Sequence, residues 1–525
     1  MLRVLIADEL SPRAVEIFQS RGIEADIRTG LPPAEIEALI GGYDGLAIRS
    51  ATKVTAKLLA KAERLKVIGR AGIGVDNVDV PAATQRGIVV MNTPHGNSVT
   101  TAEHAIALMF ALARQLPAAD QSTQAGKWEK SRFMGVELSG KTLGIIGCGN
   151  IGSIVADRAH GLKMKVLGFD PYLSEDRACD LNIEKVELDD LLARADFITL
   201  HTPLTDSTRH IINAAALAKT KPGVRIINCA RGELMVEEDL KAAIQSGHVA
   251  GAALDVFAVE PARSNALFGM EQVVATPHLG AATAEAQEKV ALQVAEQMAD
   301  FLLTGAVTNA LNMPAVSAEE APKLKPYLTL AQQLGSFAGQ LTHSGLKAVT
   351  IEYEGHAAEL NTRPLTAVAL AGLLTPLLDN VNMVNAPLIA RERNIEVSEV
   401  KHTRPGSFQT LIRLSVTTER QSRAVAGTLF GGGKPRLVEV KGIAIEAELS
   451  PHMLYITNRD KPGFIGRLGT LLGDAGINIA TFHLGRSAPG ADAICLIAVD
   501  HAVNEDLLKR IRAIPDVVQA VGLSF

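Results

Sequence analysis

Leu143-Gly144-Ile145-Ile146-Gly147-Cys148-Gly149-Asn150-Ile151-Gly152 is the stretch on which the reading of this chain turns. Leu143 to Ile146 is an apolar run that reads as a buried parallel strand. It breaks into a GxGxxG pattern ahead of a helical stretch that reaches about Gly161. Gly147 permits the tight turn, Gly149 lets the backbone approach a pyrophosphate, and Gly152 lets the helix lie close on the strand. A phosphate would sit on the unpaired N–H groups at the positive end of that helix. In a chain with 45 glycines the bare pattern is weak, and its context is what counts. A second apolar strand, Lys165 to Phe169, ends at Asp170, about 20 residues past the glycines, where a carboxylate accepts from both ribose hydroxyls. Asp170 also repels a 2′-phosphate, so NAD is expected rather than NADP. The plain alternative is an ordinary glycine turn with Asp170 as a solvated strand end.

Outward from this unit, the N-terminal region to about residue 95 alternates short strands and helices. Val4 to Ala7, Gly45 to Ile48, Lys66 to Gly69 and Ile88 to Met91 read as strands, and Ser11 is expected to cap a helix with Pro12 at its first position. A long helix from about Thr100 to Arg114 leads into the dinucleotide unit, whose later strands end at His201, Asn228, Asp255 and Thr276. A helix from about Thr283 to Leu303 then carries the chain back to the first domain. The active site is expected in the cleft between the two. Further on, helices are expected at 323–342 and 364–379 and strands near 347–353, 409–416 and 443–449. Gly431-Gly432-Gly433-Lys434 lacks the leading glycine of a phosphate loop, because 428 is Thr, and Pro435 replaces its Ser or Thr, so it reads as a turn. The tail from 453 reads strand, helix, strand, strand, helix, strand.

The expected fold class is therefore α/β. It comprises a flavodoxin-like domain of residues 1–98 with 285–312, a Rossmann domain of residues 99–284, an α+β domain of residues 313–450 and a βαββαβ domain of residues 451–525.

Three side chains downstream of the glycines suit the oxidation of a 2-hydroxy acid. Cys229-Ala230-Arg231-Gly232 follows the buried strand Val224 to Asn228, at the edge where open α/β sheets place ligands. Arg231 can hold a carboxylate in its planar fork and polarise the neighbouring oxygen. Thr276-Pro277-His278-Leu279-Gly280 puts a histidine at another strand end, and imidazole titrates in the range needed to take a hydroxyl proton. Glu260 could pair with His278 and favour its charged form.

In the first domain, Ile48-Arg49-Ser50-Ala51-Thr52-Lys53 and Gly69-Arg70-Ala71-Gly72-Ile73-Gly74-Val75-Asp76-Asn77 follow strands and should face the cleft. The glycine turn at Gly72 can offer N–H groups to a carboxylate, while Arg49 and Arg70 suit a phosphate.

The runs Asn228 to Glu233, Ala253 to Phe257 with Glu260-Pro261, and Pro277 to Ala281 resemble the signatures of the D-isomer-specific 2-hydroxyacid dehydrogenases, and the likeness runs end to end. It implies that Arg231 binds and polarises substrate, that His278 is the acid/base, and that Glu260 tunes it. Cofactor contacts are implied at Asn150, Ile151, Asp170, Thr202, Cys229, Ala230, Arg231, Asp255, His278, Leu279, Gly280 and Ala281, with Asp255 on the nicotinamide carboxamide. The implied reaction is NAD-dependent oxidation of 3-phospho-D-glycerate to 3-phosphooxypyruvate, at the start of L-serine biosynthesis. A glyoxylate or hydroxypyruvate reductase, or an NAD-sensing corepressor, would share the same residues.

The tail, with Asn458, Asp460, Pro462-Gly463 and Gly476 to Ile479, resembles an ACT domain, a module that commonly binds amino acids at a subunit interface. In relatives, positions corresponding to Asn458, Asp460 and Asn478 hold L-serine, so an L-serine effector and a homo-oligomer, a tetramer, are implied.

Composition fits a multidomain enzyme of the cytoplasm. The 525 residues are 47% hydrophobic, enough for several cores. A net charge of −5 gives no basic field for nucleic acid. Four scattered cysteines suit neither a disulfide framework nor a metal site. No apolar run approaches the ~18 residues of a membrane span, and the first residues, Met1 to Glu9, do not read as a signal or transit segment.

Overall fold

The apolar runs separated by glycine and polar turns resolve into four sheets in the computed structural model, which describes all residues except Ala318, Pro405 and Gly432. The first sheet is parallel, in the order Glu24–Ile27, Arg3–Ile6, Gly45–Ile48, Val67–Arg70, Val89–Met91. That is the flavodoxin-like arrangement. The second is parallel too, ordered Val273–Ala275, Val249–Leu254, Val224–Asn228, Phe197–Leu200, Thr142–Ile146, Lys165–Phe169, Glu184–Lys185. The order in which the chain adds these strands reverses beside Thr142–Ile146, as in a Rossmann fold. The inner strands are buried on both faces, which is why they read as unbroken apolar runs.

The helix Ser98–Arg114 crosses from the first sheet to the second, and Ala284–Thr304 returns to lie against the first. The Thr283 hydroxyl caps the returning helix by accepting from the Ala286 N–H at 3.2 Å. Ser11 occupies the cap position before Pro12–Ser20, but its side chain makes no capping bond, so the start signal there comes from Pro12 alone.

The third sheet, Glu396–His402, Leu346–Gly355, Thr410–Thr418, Ser422–Phe430, Lys434–Val440, Ile443–Ala447, is antiparallel apart from its first pair. Helices Ala321–Gln340 and Thr362–Leu374 cover one side of it. The second of these ends five residues sooner than its apolar pattern suggests, just before Pro376, which has no N–H to continue the hydrogen-bond ladder although Thr375 is still helical. Gly431 and Gly433 lie in the turn between Ser422–Phe430 and Lys434–Val440, while Gly432 is outside the described residues. The tail forms the βαββαβ order, with strands arranged Ile479–Arg486, Asp492–Val499, His452–Arg459, Val517–Ser524.

One contiguous cluster of buried apolar side chains runs from Val4, Ile6 and Met298 through Met313 and Val316 to Leu334 and Phe337, and on to Tyr455 and Leu496 of the last sheet. Phe337 meets Tyr455 edge-on, with ring centres 5.7 Å apart, and Gln340 exchanges two hydrogen bonds with the backbone of Ser524. Asn382 donates to the carbonyl of Gly87 at 2.9 Å, and the fully buried Asn385 donates to that of Gln85 at 3.1 Å, fastening the third layer to the first. The Rossmann sheet has two separate apolar clusters, one on each face. We propose the domain division expected from the sequence.

Candidate active site

A cleft of about 850 Å³ opens between the first two sheets, walled by Arg49, Ser50, Arg70 and Gly72 on one side and by Phe257, Glu260, Thr276, His278 and Ala281 on the other. Each of these residues sits at or just past the C-terminal end of a parallel strand, where open α/β sheets leave room for ligands.

His278 Nδ1 and Glu260 Oε2 are 2.7 Å apart. The other Glu260 oxygen accepts from the Phe257 N–H at 3.1 Å. Burial works to raise the Glu260 pKa, but its bonds to His278 and Phe257 outweigh this and hold it below the usual carboxylate range. The imidazole of His278 moves the opposite way, upward, chiefly because of its bond to Glu260. With Glu260 accepting at Nδ1, Nε2 is the nitrogen left for a substrate. His278 has φ +56°, a left-handed conformation uncommon for a residue with a side chain, as strained residues at functional sites often show.

Arg231 stands beside the cleft, close enough for its charge to act on Arg70 and His278. Its partner, Asp76, belongs to the glycine run expected at the cleft but had no role assigned from sequence. Asp76 Oδ2 accepts from Arg231 Nε at 2.9 Å and from Nη2 at 2.8 Å, while Nη1 donates to the Ala230 carbonyl at 2.6 Å. A Cβ on Gly74 would collide with that guanidinium, and a Cβ on Gly72, at φ +145°, would collide with that of Arg70. The glycine run after Val67–Arg70 therefore makes room for two arginines. Arg70 is largely buried, its Nε has no partner among the described residues, and burial together with Arg231 pushes its pKa down to about 10. Such a guanidinium gains most from an anion that arrives with its own charge. Arg49 is set by Asp8, which accepts from its backbone N–H at 2.6 Å, leaving the side chain to the cleft.

At the glycine turn, Gly147 has φ +95° and lies against the backbone of His201 and Thr202, so no side chain fits. A Cβ on Gly152 would strike the Gly147 carbonyl, whereas Gly149 faces open space. This is the division of labour a pyrophosphate requires. The helix Asn150–Gly161 begins there with its first N–H groups free, Asn150 reaches across to the Pro94 carbonyl, and Ile151 is half-buried beside it. Asp170 accepts from Cys148 N–H at 2.9 Å and Tyr172 N–H at 2.8 Å, which fixes its carboxylate at the strand end. The residues fit a dinucleotide.

One expectation needs correction. Asp255 does not present a free carboxylate to a carboxamide. It is 0% exposed, and its oxygens accept from the Thr276 hydroxyl at 2.6 Å, Leu279 N–H at 2.7 Å and Gly280 N–H at 2.8 Å, with His104 Nε2 at 3.2 Å. The N–H groups of Leu279 and Gly280 are thereby turned inward. Cys229 is buried too, and burial raises its thiol pKa, so with Ala230 it can offer a cofactor only backbone.

In the tail, the three residues expected at an effector site lie apart within one chain. Asn458 is 3% exposed and donates to the Arg459 carbonyl, and Asp460 accepts from Arg486 at 2.7 Å. Asn478 lies at the other end of the sheet, bonded to Asp500 at 2.9 Å. One chain does not bring the three together.

Comparison with known proteins adds the lineage. The profile of the D-isomer specific 2-hydroxyacid dehydrogenase, NAD binding domain, matches residues 106–280, that of the D-3-phosphoglycerate dehydrogenase intervening domain matches 323–441, and that of the ACT domain matches 452–516. A D-3-phosphoglycerate dehydrogenase of Synechocystis is 43% identical over 99% of this chain and 94% of its own length. The chain belongs to the D-3-phosphoglycerate dehydrogenase family. Relatives bearing that name in Bacillus subtilis, 42% identical over 99% of this chain and 98% of theirs, and in Methanocaldococcus jannaschii, 41% identical over 98% of each, extend the match across all four sheets of this D-3-phosphoglycerate dehydrogenase family member.

Solved structures match over about three fifths of the chain. A glyoxylate reductase from Paecilomyes thermophila aligns with a TM-score of 0.56 at 30% identity over 59% of this chain and 98% of its own. A D-lactate dehydrogenase from Aquifex aeolicus, complexed with NAD and lactic acid, aligns at 0.53 and 27% identity over 60% of this chain and all of its own.

Proposed function

We propose that the chain oxidises 3-phospho-D-glycerate to 3-phosphooxypyruvate with NAD, the first step of L-serine biosynthesis, in the cytoplasm. The observation that carries this reading is the His278–Glu260 pair in one cleft with Arg70 and Arg49, with Arg231 beside it, near enough to act on both Arg70 and His278. NAD, when bound, supplies the acceptor for the hydrogen on C2. Gly147, Gly149, Gly152 and the first N–H groups of Asn150–Gly161 would hold its pyrophosphate, and Asp170 its adenosine ribose. Arg231 grips the substrate carboxylate and draws electron density from the C2 oxygen. His278 Nε2 takes the C2 hydroxyl proton, and Glu260 stabilises the imidazolium that results. Arg49 and Arg70, with the backbone of Ser50, hold the phosphate end, while the N–H groups of the Gly72 turn serve the carboxylate. Initial-rate formation of NADH with 3-phosphoglycerate, and with D-glycerate beside it, tests this reading. Turnover that depends on the phosphate is expected, and turnover with D-glycerate alone would assign a reductase instead.

Asp170 sets cofactor choice. Replacing it with Asn, which keeps an acceptor for Cys148 or Tyr172 but no charge, is expected to raise KM for NAD by about tenfold, the size of a charged hydrogen bond, and to narrow the preference over NADP. Parallel saturation curves with both cofactors check it.

Glu260 sets the pH range. The raised pKa of His278 means that oxidation, which needs neutral imidazole, gains rate as pH rises through that value, and carbonyl reduction, which needs imidazolium, loses it. Glu260→Gln removes the main cause of the upward shift, so both limbs should move to lower pH. Profiles of kcat/KM in both directions that kept their midpoints would remove Glu260 from this role.

L-Serine is proposed as an effector of the ACT domain. Because Asn458 and Asp460 lie at one sheet end and Asn478 at the other, the proposed effector site draws on two copies of the chain, within a homo-oligomer that we propose to be a tetramer.

A further inference from the structure

We infer that His104 is a positioning residue for the reaction proposed above, acting through Asp255 on the turn that carries His278. The crossing helix Ser98–Arg114 puts Thr101 and His104 one turn apart, on one face. His104, whose side chain is 20% exposed, sets Nε2 3.2 Å from Asp255 Oδ1 and 3.3 Å from the Thr276 hydroxyl. The Thr101 hydroxyl is 2.9 Å from the Gly280 carbonyl. Asp255 in turn accepts from Leu279 and Gly280, and its own carbonyl accepts from the His278 N–H at 2.9 Å. The backbone around the left-handed His278 is thus gripped from behind, from Asp255 and the crossing helix.

Among the described residues, His104 is the one basic side chain that reaches Asp255 from outside the segment Thr276–Gly280, 3.2 Å from its Oδ1, and it also bonds the Thr276 hydroxyl that donates to Asp255. A buried carboxylate holds its geometry only while its donors are complete. The strained backbone at His278 persists only where its surroundings over-determine it. His104 completes that set, and it needs the Nε2-protonated tautomer to do so. It also stands on the element that joins the two domains, since Asn97, just before the same helix, lines the cleft. The position of the proton carrier is therefore referenced to the interdomain connection and not only to its own sheet.

The inference rests on His278 as the proton carrier, so its test has an arm that does not use turnover. His104→Leu keeps the bulk and removes the donor, while His104→Gln returns an N–H near the Nε2 position. In His104→Leu, hydrogen–deuterium exchange at the amides of Leu279 and Gly280 should be faster than in the wild type. Its kcat should fall on the order of tenfold, because small misplacements of reacting groups are costly, with KM for 3-phosphoglycerate and affinity for NADH within about threefold. His104→Gln should restore most of both effects. Unchanged exchange at 279–280, a Gln variant no better than Leu, or a loss confined to NADH affinity would each overturn the inference. The last would make His104 a cofactor contact. A wild type inactive on 3-phosphoglycerate would overturn the function proposed above and leave the exchange result to stand alone.

Discussion

His278→Asn is expected to lower kcat by about 10² to 10⁴, the range for loss of a general acid/base, while KM for 3-phosphoglycerate changes little. Asn is the informative replacement because residue 278 sits at φ +56°, a conformation that Asn tolerates and alanine does not favour. The variant should fold with its turn intact, so that the loss is chemical. His278→Ala should lose as much turnover and some stability besides, which a thermal melt beside the kinetics will separate. Turnover near the wild-type value in the Asn variant would take the proton away from His278.

Arg231→Ala should be nearly as damaging and in a different way. A fall in kcat/KM of about 10² to 10³ is expected, as when one donor to a developing oxyanion is removed, with both KM and kcat affected. The change also strips Asp76 of its partner. An unpaired carboxylate would then face an incoming substrate that is itself an anion. Adding Asp76→Asn to Arg231→Ala should therefore recover part of the KM loss but none of the kcat loss, a coupling that single substitutions cannot reveal. If the double variant binds substrate no better than Arg231→Ala alone, Asp76 does not oppose the substrate. An unchanged kcat/KM in Arg231→Ala would remove the arginine from the site.

The inner strands of the two parallel sheets were legible because they are buried on both faces and spell unbroken apolar runs. The edge strand Glu24–Ile27 was not, since half its residues are exposed and two are acidic. The same reason hides Glu396–His402, where backbone pairing to Leu346–Gly355 holds a segment that has almost no buried side chain. Ser422–Phe430 escapes notice because small residues such as Ala424, Ala426 and Gly427 carry little pattern, Gly427 lying under Leu330 and Leu334.

At the site, Arg231, Glu260 and His278 could be picked out because each follows a strand within a short local context. Asp76 follows a strand as well, but no local rule says that it faces an arginine 155 residues away. Asp255 was misread for a related reason. A carboxylate at a strand end looks free until its neighbours' N–H groups are placed, and here they fold back onto it.

The apolar cluster that joins the first sheet to the last has a consequence for dissection of the molecule. Cutting the chain after residue 312 would not detach an independent module. It would strip Val307 of its backbone partner Val316 and divide the cluster between Val294 and Met298 of Ala284–Thr304 on one piece and Met313 and Val316 on the other. Removing only the tail would bare Phe337 and leave Gln340 without Ser524. Exposed apolar patches of that kind invite aggregation. The cleft-bearing part of this chain is thus better uncoupled from its ACT domain by single substitutions at the rim of the last sheet than by shortening the polypeptide.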